Sequence, residues 1–134
     1  MDTFSIELVV EAAQMDSEIW MQGSVEIRIN GSKPYSDGDY VDFDVFVKSL
    51  DVEGEFFIFS CTCGIPECAG WIKGIDVRHE GNIISWKNSN DNISWQFDRS
   101  GIQESLKEIR REVLKYKKFF AKKEIKYVGV GYNW

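Results

Sequence analysis

The chain has 134 residues, 43% of them hydrophobic and 14% aromatic, which suits one domain with one core and excludes a disordered polymer. No apolar run approaches the roughly 18 residues that cross a bilayer, and Met1-Asp2-Thr3-Phe4 lacks the basic start of a signal peptide, so the expected location is cytoplasmic. The formal charge of −6 is uneven: residues 1–60 hold thirteen acids against three bases, and residues 106–126 hold nine bases against three acids.

Residues 4–10 alternate and then turn apolar, which predicts a first strand. Residues 18–21 and 24–29 predict two short β runs around Gln22-Gly23, followed by turn material at residues 30–34 and 36–39. Residues 40–50 show a period of two: Val41, Phe43, Val45 and Val47 against Asp42, Asp44 and Lys48, read as a strand with its acids on one face. Residues 55–60 are an apolar run leading into Cys61. Residues 71–79 and 82–87 predict a hairpin around Glu80-Gly81, with His79 opposite Asn82, Val77 opposite Ile84 and Ile75 opposite Trp86. A short strand at 93–97 is centred on Trp95.

Ile102, Leu106, Ile109, Val113, Tyr116 and Phe120 step by four and three, the spacing of one buried helical face. Ser100 and Gln103 form a capping-box signature at its start, and lysines gather at its end, where they suit the helix dipole. Residues 124–130 predict a last strand. The order of strands, helix and strand predicts an α+β fold over residues 1–134. It has a mainly antiparallel sheet of about six to eight strands, one long C-terminal helix packed on it, and a final short strand.

All three cysteines fall in Cys61-Thr62-Cys63-Gly64-Ile65-Pro66-Glu67-Cys68. One reading is a trio of packed or free thiols in a structural clasp, with no cofactor. A second is zinc held by Cys61, Cys63, Cys68 and the lone histidine, His79, since zinc takes four thiolate or imidazole donors. A third is a disulfide or redox pair. An odd cysteine count argues against a secreted disulfide framework. Asp42 and Asp44 form a candidate acid–base pair, although carboxylates on a polar strand face are more often solvated. No glycine-rich phosphate loop or nucleophile elbow is present, so the chain is not expected to be an enzyme.

The run from Phe57 to Gly70, with its C-x-C-G-x-x-x-C-x-G pattern and the hairpin after it, resembles small bacterial proteins of uncharacterised activity. In size, acidity and single-domain style the chain is also similar to the immunity proteins of bacterial toxin systems. That resemblance implies a non-enzymatic binding protein that neutralises a cognate toxin. Many such toxins attack nucleic acid and are basic around their active sites, and an acidic partner docks on them fast. Asp37, Asp39, Asp42 and Asp44 are the acids expected to face that partner. No membrane partner is expected. The alternative is a small zinc-containing domain that binds nucleic acid or regulates. It would use the basic stretch 107–126 with Tyr116, Phe119 and Tyr127 nearby for stacking.

Overall fold

The computed structural model describes residues 1–134. Two long strands, β1 (Phe4–Met15) and β2 (Glu18–Ile29), form a hairpin in register from Phe4 opposite Ile29 to Met15 opposite Glu18. The two runs expected around Gln22-Gly23 are thus one strand of twelve residues. Asp16, in the left-handed region at φ 54°, closes the turn. The last strand, β9 (Tyr127–Val130), joins β2 in parallel and completes a sheet of order β1-β2-β9.

Between these elements lie two smaller sheets. In the first, β3 (Asp39–Val41) pairs antiparallel with β5 (Phe59–Cys61). In the second, β4 (Gly54–Phe56), β6 (Ile75–Glu80), β7 (Ile83–Asn88) and β8 (Ile93–Asp98) form an antiparallel four-stranded sheet in that order. The architecture is α+β with nine strands, in which the 55–60 run divides between two sheets while the two runs around Gln22-Gly23 merge into one strand. No helix is long and apolar enough to cross a membrane.

The strand expected over 40–50 is mostly a helix, α1 (Phe43–Ser49). Its alternation is real but incomplete, because Phe43, Phe46 and Leu50 also fall at helical spacing, and all three are buried whereas Val45 and Val47 are only partly so. Asp42 decides the matter locally. Its carboxylate accepts the Val45 N–H at 3.2 Å, capping the first turn. Asp42 and Asp44 therefore do not share a strand face: one is a half-buried cap, the other an exposed first-turn residue.

The β6–β7 register also differs, by two residues. Val77 sits opposite Trp86 and His79 opposite Ile84, so the turn is Gly81-Asn82, with Gly81 at φ 59°. A slip of two preserves which face each side chain takes. Ile75, Val77, Ile84 and Trp86 are accordingly all buried on one face, as the pattern required.

The long helix, α2 (Arg99–Lys122), starts from Asp98 rather than Ser100. The Asp98 carboxylate accepts the Ser100 N–H at 3.2 Å, and Ser100 Oγ instead donates to Asn82 Oδ1 at 2.8 Å. Ile102, Leu106, Ile109, Val113 and Phe120 are buried against the sheet, chiefly along β1. Tyr116 departs from this stripe. It is 39% exposed and leaves the last third of the helix with uncovered apolar surface. Phe4, Phe46, Trp86 and Phe97 interlock at ring separations of 5.0–6.1 Å and tie α1 to two of the sheets.

Candidate functional site

The loop 33–39 runs beside β2, where the Tyr35 hydroxyl accepts the Ile27 N–H, and Lys33 reaches the face of the β1–β2 hairpin that points away from α2. Alternation places Glu11, Ser24 and Glu26 on that face, and the loop adds Asp37 and Asp39. These four acids border a concavity of about 180 Å³ in which Lys33 is the single base. Lys33 reaches Asp37 at 3.0 Å and Glu26 at 3.9 Å, while Glu11 has no ion-pair partner. The Lys33 ammonium, hydrogen-bonded to Asp37, holds that carboxyl below its usual range, and the same bond raises Lys33. Of the four aspartates singled out in the sequence, Asp37 and Asp39 join this concavity, and Asp42 and Asp44 do not line it. Burial pushes the Asp42 carboxyl up despite its bond from Val45. Glu11 and Glu26 were not foreseen. Their signal is the same-face spacing across a hairpin whose true length the Gln22-Gly23 break concealed.

Asp39 links the concavity to a second cleft. Its carboxylate accepts Trp71 Nε1–H at 3.3 Å and the Ser36 N–H at 3.3 Å, and its backbone pairs with Cys61. That cleft, about 450 Å³, runs past Tyr35, Asp39, Trp71, Asn90, Asp91 and Trp95. Tyr35 stacks on Phe59 at 4.7 Å and Phe59 packs on Trp71 at 5.4 Å, which fixes the aromatic floor. The buried Asn88 amide holds the rim by bonds to Asp91 and to the Asn90 N–H. The floor is therefore set by tertiary contacts and the rim by local bonds within the 88–91 turn.

The cysteine loop adjoins this cleft through Ala69 and Gly70. The Gly64 N–H bonds back to the Cys61 carbonyl at 2.9 Å, and a 3-10 turn spans Pro66–Ala69. Gly64 (φ 86°), in the left-handed region, bends the chain between Cys63 and Cys68, and Gly70 (φ 87°) ends the 3-10 turn after them. All three cysteines are free, and Cys63 and Cys68 are exposed, which departs from a packed thiol trio. The Ile65 N–H, then the Cys61 and Cys68 thiols, hydrogen-bond to Cys63 and lower its pKa. Cys68 is pushed the other way, first by that bond and then by the charge of Cys63.

His79 is not near enough to these thiols to act with them. Its Nε2 lies 2.8 Å from the Ser49 carbonyl oxygen, and its N–H donates to Glu53 at 2.7 Å. No group of three or more histidine, cysteine, aspartate or glutamate side chains is disposed to hold a metal ion. The conditional zinc set of Cys61, Cys63, Cys68 and His79 is therefore not assembled. Two of the basic residues of the 107–126 stretch lie over aromatic rings, Arg110 at 5.4 Å from the Trp134 centroid and Lys123 at 5.7 Å from that of Phe119. Comparison with protein-family models, curated proteins and solved structures returned no match for this chain.

Proposed function

We propose that this protein is a non-enzymatic binding protein that docks a basic protein partner, in the manner of an immunity protein neutralising a toxin domain. The observation that carries the reading is the concavity of Glu11, Glu26, Asp37 and Asp39, where four carboxylates meet one lysine in the lining and Arg28, which reaches Glu26 at 3.2 Å from beside it. Carboxylates gathered on a rigid concave wall raise the local concentration of a cationic partner and speed its encounter. Asp42 caps a helix and His79 holds the Ser49 carbonyl, so neither is held beside a second acid–base group. Three free thiols suit a reducing compartment, which supports action in the cytoplasm.

The test is growth rescue. Co-expression of the chain with a toxin domain encoded beside its gene restores growth, and Glu26→Lys with Asp37→Lys abolishes that rescue while the Tm stays close to that of the parent. Failure to rescue, or rescue indifferent to both charge reversals, refutes the reading. Association measured with purified components slows as salt rises, because exposed charges are screened over about 8 Å at physiological ionic strength.

A further inference from the structure

The partner of β1 on one side is β2, and on the other side there is none. Ile27 N–H and Met21 N–H point away from β1, to Tyr35 and Lys126, so Ile27 and Met21 belong to pairs that do not exchange bonds across the hairpin. Their opposites are Ile6 and Ala12. By the alternation of an antiparallel ladder, Ile6, Leu8, Val10 and Ala12 direct both N–H and C=O to the free edge. No backbone group of β1 bonds to anything except β2. An unpaired edge of this length is a template for another strand.

Beside that edge runs a groove whose far wall is α2. It begins at Ile6, with Glu108 and Glu112 across from it, and continues past Leu8 to Tyr116 and Phe119, where Lys115 is its one base against those two glutamates. Phe119 is 53% exposed, so the apolar end of the groove is open. The edge strand itself carries Glu7 and Glu11 on its other face, and Glu7 is shared with Arg28 at 3.7 Å. A strand laid along β1 thus meets glutamates on both faces and apolar surface on one.

We propose that the β1 edge and the α2 wall form a strand-addition site for an extended segment of a partner protein, with basic side chains alternating with apolar ones. The apolar set enters the groove against Leu8, Tyr116 and Phe119. The basic set lies over Glu7 and Glu11, and backbone bonds to Leu8 and Val10 fix the register. A second copy of this chain fits the edge poorly. Antiparallel self-pairing centred anywhere from Glu7 to Glu11 sets glutamates of the two copies directly opposite or on the diagonal, where like charges repel. This inference rests on the basic-partner reading above and locates part of that partner on β1.

The test uses a capped nine-residue peptide of alternating lysine and valine, titrated against the full chain. Binding is expected at micromolar concentrations, with slowed amide exchange at Leu8 and Val10. In an added strand only alternate N–H groups face β1. N-methylation of one alternate set of peptide residues should therefore weaken binding by about tenfold or more, and methylation of the other set by less than about threefold. Glu112→Lys with Phe119→Ser, both exposed positions, should also weaken it about tenfold or more. An alternating glutamate–valine peptide should not bind. Equal effects of the two methylated sets, no binding of the lysine–valine peptide, or a concentration-dependent dimer of the protein alone overturns the proposal. Peptide failure with growth rescue intact refutes the strand site and spares the basic-partner reading, whereas failure of the unmodified chain to rescue refutes that reading directly.

Discussion

Val113 and Leu114 are neighbours on α2 with opposite fates: Val113 is wholly buried and Leu114 is 55% exposed. Val113→Ala removes two methyl groups from the interface with the β1–β2 sheet. At about 0.8 kcal/mol per buried methylene the transfer loss is about 1.6 kcal/mol. Incomplete collapse of the vacated space adds roughly 1 kcal/mol. Alanine is the better helix former by about 0.5 kcal/mol, which offsets part of this. The net expectation is a destabilisation of about 2 kcal/mol. Leu114→Ala should fall within about 0.5 kcal/mol of the parent, since it removes surface that water already covers. Urea unfolding followed by tryptophan fluorescence measures both variants at a common m-value. Equal losses in the two variants, or a larger loss at Leu114, would show that the helix presents a different face to the sheet.

Asp42→Ala should cost about 1 kcal/mol through the lost cap. Asp42→Asn should be at least as stable as the parent at neutral pH, since it caps without a charge to desolvate. The folded-state pKa of Asp42 is raised, so its contribution is greatest below the unfolded pKa and falls as pH rises through the folded one. The Asn advantage should therefore shrink in acid, and an advantage that grows in acid would reverse the sign of that shift. Limited alkylation with iodoacetamide at pH 7, read by peptide mass spectrometry, should label Cys63 before Cys68, because the Cys63 thiolate is the one stabilised by neighbours. Faster labelling of Cys68 would contradict that polarity. Gly23→Ala should destabilise by about 1–3 kcal/mol, because a methyl there runs into the hydroxyls of Tyr127 and Tyr132, which bond to each other at 2.6 Å. Thermal unfolding that leaves Gly23→Ala at the parental Tm would show that this pair moves freely.

Periodicity was a good guide wherever one period had no rival. The stripe from Ile102 to Phe120 and the face of Ile75, Val77, Ile84 and Trp86 could be read directly, and five of the six stripe residues are buried. It failed over 40–50, where Phe43, Phe46 and Leu50 satisfy a helical step while the valines satisfy a strand step. A single hydrogen bond from Val45 to Asp42 tips such a segment, and hydrophobic pattern carries no record of it. Tyr116 was misplaced for a different reason. It keeps the helical spacing, but β1 is not followed by further sheet beyond its edge, so nothing covers that part of the stripe. The acidic concavity was legible only in part, because Glu11 and Glu26 meet Asp37 and Asp39 through pairing rather than through proximity in sequence.

Glu11 connects the two surfaces. It borders the acidic concavity on one side and belongs to the free edge strand on the other. A basic segment added along β1 would thus lie against the same carboxylate that helps to line the concavity. The two surfaces then act as one extended acidic contact, in which the edge supplies register through backbone bonds and the concavity supplies long-range attraction. Division of labour of this kind separates in kinetics. Charge reversal at Asp37, distant from the groove wall, should slow association and leave dissociation nearly unchanged. Phe119→Ser should speed dissociation with little effect on association, because a buried apolar contact forms only after docking. Both variants measured against the same partner by surface plasmon resonance distinguish one continuous contact from two unrelated features. If each change moved association and dissociation alike, the two surfaces would not hold separate roles in one interface.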